Sequence, residues 1–310
     1  MREGEASRTA AYMALFRALE FTLPAGQRLF EDRFASAFLH ARLRFVAHLS
    51  RIRLAGALVR ACIDRQWPGA RTSAVARTKF IDDAAEAALR SGVAQVVILG
   101  AGFDARAYRI PGMVHAVVFE VDHPSTSAMK RRGVESALGS LPRHLRFVPI
   151  DFTAEVLSQA MSAAGYELSK RTLFIWEGVT NYLTEAAVDG TLRWCASAAV
   201  GSTVLFTYVH RQVLDSPEVF GGTEKLFATL RQAGEHWTFG LDPSKLRTFL
   251  AERGLALDED VGASQYRALY FGPSASRMGG YEFYRIAVAR VSDIPPTRGT
   301  PPNGAREPIS

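Results

Sequence analysis

The strongest constraint on this chain is a short apolar run that ends in a glycine turn. Val96-Val97-Ile98-Leu99 leads straight into Gly100-Ala101-Gly102-Phe103-Asp104-Ala105-Arg106. Four consecutive apolar, mostly β-branched residues read as a strand buried on both faces. Glycine permits a sharp turn behind the strand and lets a ligand touch the backbone. The helix expected next would aim its unpaired N–H groups at that ligand. Taken alone, the pattern also fits a plain tight turn after a strand.

The rest of the chain repeats the device. Strands are expected over 117–122, 147–151, 172–177 and 203–209, with helices over about 73–90, 184–199 and 245–253. Strands alternating with helices imply an α/β fold, a Rossmann-like parallel sheet with helices on both faces. Two late segments, 265–271 and 282–290, read as a closing antiparallel pair. Ahead of the sheet, residues 8–66 carry helical spacing, with Ser7 as a cap and a break at Pro24-Ala25-Gly26. This gives an expected division into an N-terminal helical lid (1–72), a ligand-binding α/β domain (73–290) and a disordered tail (291–310) rich in Pro, Gly and polar residues.

Composition narrows the partners. Lys and Arg number 37 against 31 acids, a net charge of +6. The basic residues are scattered, and the densest run, Lys130-Arg131-Arg132, is too short for a nucleic-acid footprint. Cys62 and Cys195 sit among apolar neighbours and are expected to be buried free thiols; no zinc spacing or metal-ligand cluster is visible. Apolar runs fall short of the ~20 residues that span a bilayer. The N-terminus lacks a signal core. The expectation is a cytoplasmic protein with no membrane partner.

Acids close the other strands. Strand two ends in Glu120-Val121-Asp122, strand three in Asp151 with Phe152 behind it, and strand four in Trp176-Glu177-Gly178. Open α/β sheets bind ligands at the carboxyl ends of their strands, and an acid at the second strand tip can accept from a ribose diol. Each acid alone could equally be a helix cap or a solvated loop residue. Asp104, inside the turn, would repel a pyrophosphate; it suits a ligand with a cationic amine. An NAD(P)-dependent oxidoreductase remains an alternative, as does a non-catalytic cofactor-binding module.

Gly100–Arg106, Phe119–Asp122, Asp151-Phe152 and Glu177-Gly-Val-Thr-Asn-Tyr-Leu-Thr-Glu185, with Ser7–Ala10 and Ala76-Arg77-Thr78, together resemble the leucine carboxyl methyltransferase family. The resemblance covers about residues 5–290. It implies a class I methyltransferase fold and S-adenosyl-L-methionine as cofactor. It would place Arg77 on the methionine carboxylate, with Arg8 near that end of the cofactor. Gly100 and Gly102 would lie along the cofactor backbone. Asp122, and with it Glu120, would take the ribose. Asp151 and Phe152 would bracket the adenine, and Glu177 would meet the methionyl ammonium. The expected acceptor is a carboxylate of a small molecule such as a polyketide. A phenol or hydroxyl, or a protein C-terminal carboxylate, are the alternatives. An ionised carboxylate, pKa ~4, needs no base, whereas a phenol near 10 does. Tyr182 and His210 are the catalytic candidates, His210 because it follows strand five.

Overall fold

The computed structural model describes residues 8–151 and 155–293. Its centre is a seven-stranded sheet in the order β3-β2-β1-β4-β5-β7-β6. The strands are β1 (Gln95–Leu99), β2 (Val117–Asp122), β3 (Leu145–Pro149), β4 (Thr172–Trp176), β5 (Thr203–Val209), β6 (Leu255–Gly262) and β7 (Tyr284–Val291). The first five run parallel, and β7 lies antiparallel between β5 and β6. β1 and β4 are buried at every position, each an apolar run of four residues behind one buried polar residue, Gln95 or Thr172. Chain order reverses between β1 and β4, which opens a crevice beyond their carboxyl ends.

Helices cover both faces. One face carries Val97, Phe119, Phe174, Phe206 and the inner side of the helix Glu185–Ala196; the other carries Val96, Ile98, Ile175, Ile286 and the inner side of α4 (Ala70–Arg90). α4 runs across the expected boundary at 72/73. Ahead of it lie α1 (Arg8–Phe21), α2 (Ala41–Leu49) and α3 (Arg53–Gln66). These have their own small core of Ala14, Leu15, Leu19, Ala35 and Leu39, joined by Phe103 from the glycine turn. The helical spacing expected over 8–66 is interrupted again at Ser50–Ile52, where the chain turns between α2 and α3.

Two expectations fail. Residues 263–271 form a helix (Ala263–Phe271), and the antiparallel partners of β7 are β5 and β6. Tyr266 and Arg267 are buried on one side of that helix, the Tyr266 hydroxyl meets Ser73 of α4 at 2.6 Å, and the Gln265 side chain caps the start at Gly262. β6 looks too acidic for a strand by sequence. Two of its three acids find partners across the ladder, Asp260 with Arg285 and Asp258 with Arg290. The second failure is Cys62, which is exposed; only Cys195 is buried. Ser7 and most of the expected tail, 294–310, lie outside the described residues.

Candidate functional site

The turn after β1 is shaped by close approach. Gly100 has φ +63°, and a Cβ there would meet Val179 Cγ2 at 2.4 Å, so the turns after β1 and β4 touch. Gly102 has φ +40° and faces open space: a Cβ would find nothing nearer than the Gly100 carbonyl at 3.7 Å. The Gly102 N–H donates to Asp122 Oδ2 at 2.5 Å, and the His123 N–H donates to Oδ1 at 2.7 Å. Burial raises the Asp122 carboxyl above its usual range despite those two donors. Glu120, expected beside it on a ribose, is fully buried. Its oxygens are held by Lys130 at 2.9 Å and by the Tyr108 hydroxyl at 2.7 Å. Glu120 shares a face of β2 with Asp122 but sits two residues before the strand's end, where Lys130 and Tyr108 enclose it.

At the tip of β4, Glu177 sits between two guanidinium groups. Arg77 Nε of α4 donates to Oε1 at 2.8 Å, and Arg106 Nη1 donates to Oε2 at 2.7 Å. Arg77 also lies 4.5 Å above the Tyr284 ring. Arg106 is 2 % exposed and binds Asp82 and Asp104 as well. Asp82 in turn holds Arg109 through two contacts of 2.6 Å. Asp104, expected to face a ligand's amine, is answered from inside by the Arg106 guanidinium and backbone N–H. Three arginines and three carboxylates thus form one buried network beside the crevice. Asp82 and Arg109 carry no motif, and only their convergence from α4 and from the short helix Arg106–Arg109 marks them.

Burial pushes the Glu177 carboxyl up, but Arg106 and Arg77 together hold it down at about 2, against 4.5 for a free side chain. Asp104 is likewise held at about 2 by Arg106 and Lys130, against burial. Both folded values lie below the unfolded ones, so these ions stabilise the fold above the unfolded pKa and that gain disappears as pH falls towards 2. Glu20, Glu120 and Asp122 are raised by burial and act in the opposite sense as pH climbs. Urea midpoints are expected to drop on acidification from about pH 5 to about 3. Glu177→Gln should flatten that slope; a slope unchanged in the variant removes the ion from this account.

A second cluster borders the crevice. Tyr182 stands in a short turn after β4; its hydroxyl donates to Glu235 Oε2 at 3.0 Å, and the Thr9 hydroxyl of α1 donates to the same oxygen at 2.6 Å. The Tyr182 ring packs edge-on to Trp237, which also meets Phe227, Phe283 and Tyr284. Tyr284 connects this aromatic wall to Arg77. Burial, reinforced by Glu235, raises the Tyr182 phenol, so it acts as a hydrogen-bond donor. His210 follows β5 as expected, with its ring against Phe220. Its Nδ1 accepts the Gln212 N–H at 3.1 Å, which leaves the ring proton on Nε2, and burial lowers its pKa. Glu235 was missed by sequence reasoning because it lies in a loop with no motif. Asp151 stands at the tip of β3, where its N–H meets Glu155; Phe152 and the Arg8 side chain are outside the described residues.

The sequence pattern of the leucine carboxyl methyltransferase family matches residues 10–196. A Frankia alni protein named for a proposed S-adenosyl-L-methionine-dependent methyltransferase activity is 36% identical over 208 residues, 67% of this chain and 70% of the relative. A similarly named Bacillus subtilis protein is 27% identical over 210 residues, 67% of this chain and 69% of that one. In fold, the chain is similar to a Thermobifida fusca protein described as a proposed methyltransferase. The TM-score is 0.56 with 16% identity, over 94% of this chain and 97% of the other. A DUF574 family protein of Streptomyces avermitilis gives 0.54 with 14% identity, over 93% and 98%. The likenesses in fold agree with the sheet order, and the family match over residues 10–196 shows that the chain belongs to the leucine carboxyl methyltransferase family.

Proposed function

We propose that this chain is an S-adenosyl-L-methionine-dependent O-methyltransferase that methylates a carboxylate of a small molecule. The observation that carries the reading is Glu177 held between Arg77 and Arg106 at the mouth of the crevice. An amino acid moiety needs an anion for its ammonium and a cation for its carboxylate, and this pair offers both. Asp122 offers a carboxylate to a ribose diol, and the open side of Gly102 leaves room for the ligand against the turn. The residues present therefore fit the cofactor, and Asp151 is proposed for the adenine. When bound, the cofactor supplies an electrophilic methyl group on a sulfonium.

The chain's own work is alignment and the exclusion of water. An ionised carboxylate attacks without a base, so holding acceptor and methyl in line is the main contribution, on the order of 7–11 kcal/mol for well-oriented groups. The wall of Tyr182, Trp237 and Tyr284 would keep the acceptor dry, which makes an anion more reactive.

Glu235 favours a second reading, a hydroxyl or phenol acceptor. Its carboxylate, reached by two hydroxyl donors, would repel an acceptor anion and could instead take a proton. A labelled-methyl screen of carboxylates and phenols, followed by single-turnover pH profiles, separates the two. A carboxylate acceptor gives a rate flat above about pH 6, and Glu235→Gln then keeps or raises it. A rate that climbs with pH and collapses in Glu235→Gln overturns the carboxylate reading in favour of the hydroxyl one.

A further inference from the structure

The outer side of the N-terminal helices is apolar where none of the described residues covers it. On α3, Leu54, Ala57, Leu58, Ala61 and Cys62 are all exposed and follow the i, i+3, i+4, i+7, i+8 spacing of a single stripe. Leu54 is 80% exposed and Leu58 72%. The opposite side of the same helix already packs inward through Val59 and Ile63. α2 and the turn after it continue the surface with Phe45 at 66%, Leu49 at 38% and Ile52 at 61% exposure. A helix apolar on two faces has a second partner.

The charges beside the stripe say what kind. Between Ala41 and Gln66 there are six arginines and one acid, Asp64. Arg71 holds that acid through two contacts, at 2.9 and 2.6 Å. Arg42, Arg44, Arg51, Arg53 and Arg65 are exposed. A second copy would set these arginines against its own. The stripe contains no Tyr or Trp, the residues that most often anchor protein partners. Leu, Ile and Phe bordered by Arg is the composition of helices that lie in the interface of an anionic bilayer.

We propose that the α2–α3 face docks on an anionic lipid surface, with Leu54, Leu58, Phe45 and Ile52 entering the acyl boundary and the arginines meeting headgroup phosphates. This is contact from one side, compatible with the finding that none of the described helices is long and apolar enough to span a membrane. The face is separate from the crevice, so the proposal stands or falls independently of the acceptor chemistry.

The full chain is sedimented with vesicles of equal phosphatidylglycerol and phosphatidylcholine, and with pure phosphatidylcholine. Binding is expected to the first only and to weaken more than tenfold at about 0.5 M salt. The double variants Leu54→Ser/Leu58→Ser and Arg51→Glu/Arg53→Glu should each lose at least tenfold in vesicle affinity while binding the demethylated cofactor like the parent chain. Because Cys195 is buried, a polarity-sensitive dye goes to Cys62, and its emission should shift to the blue on anionic vesicles alone. Failure to sediment, equal binding to neutral vesicles, or double variants that bind like the parent would each overturn the proposal. So would a dimer in solution that the leucine variant dissolves.

Discussion

Replacing Arg106 with Met is expected to lower the unfolding free energy by about 3–5 kcal/mol, the cost of stranding buried charge by removing its partner. Arg106 touches Asp82, Asp104 and Glu177, and all three lie close to or below a fifth exposed. Asp82 keeps Arg109 and Glu177 keeps Arg77. Asp104 keeps the backbone N–H of residue 106 and the more distant fields of Lys130 and Arg17, but no ion-pair partner, so it is the group left most exposed to the desolvation cost. Methionine restores most of the volume, which separates charge from packing. The test is chemical denaturation at neutral pH and again near pH ~4, where protonation of the stranded acids begins to relieve the penalty. The gap between variant and parent should narrow on acidification. A loss under about 1 kcal/mol, or a gap that stays constant with pH, would show that the network is not charged in the way described. Cofactor affinity should fall with it, because Glu177 loses one of the two groups that fix its carboxylate.

Phe103→Ala is the second large effect, expected at about 3–5 kcal/mol for an aromatic side chain lost from a packed core. Phe103 belongs to the glycine turn by sequence but to the N-terminal helices by packing. Its ring stacks on Phe38 with centroids 5.4 Å apart and planes 7° from parallel, and its carbonyl accepts from Arg17 Nη2 at 2.6 Å. The same Arg17 binds Asp32 at 3.0 Å. The substitution should therefore loosen two places at once. Amides near 35–39 and 100–106 are expected to lose hydrogen-exchange protection together, and cofactor binding should weaken. Phe103→Leu, which keeps most of the apolar volume, should cost less than about 1.5 kcal/mol. Protection lost at the turn alone would mean that the two regions are not coupled.

The parallel half of the sheet could be read from the chain because β1 and β4 carry unbroken four-residue apolar runs and four of the five parallel strands lead into a glycine or an acid. Periodicity misled where charge had a partner the sequence does not reveal. Leu255–Gly262 looks like a polar loop until Arg285 and Arg290 are set opposite its acids. Residues 263–271 look strand-like through Tyr266, Leu269 and Tyr270, yet the spacing of Tyr266 and Tyr270 suits a helix that lays both towards α4. The site divides similarly. Gly100, Gly102, Asp122 and Glu177 lie at the carboxyl ends of β1, β2 and β4, where their positions in the chain pointed, and Arg77, singled out only by the family resemblance, reaches Glu177 from the middle of α4. Glu120 and Asp104 turned inward because buried bases, Lys130 and Arg106, claim them; pairing at that range has no signature in a linear pattern. Glu235 became visible only when Thr9 and Tyr182, far apart in the chain, were found on one of its oxygens.

The place of β7 has a consequence for how this chain is made. It is the last described strand in sequence, yet it lies between β5 and β6 and pairs with both. Until residue 291 has left the ribosome, β5 presents a bare edge and β6 has nothing to join. Such an edge is a template for wrong pairing, and non-local pairing closes slowly. Nascent chains stopped before Tyr284 would therefore carry a parallel half-sheet with an open side, which makes early release or slow translation of the final strand the point at which aggregation competes with folding.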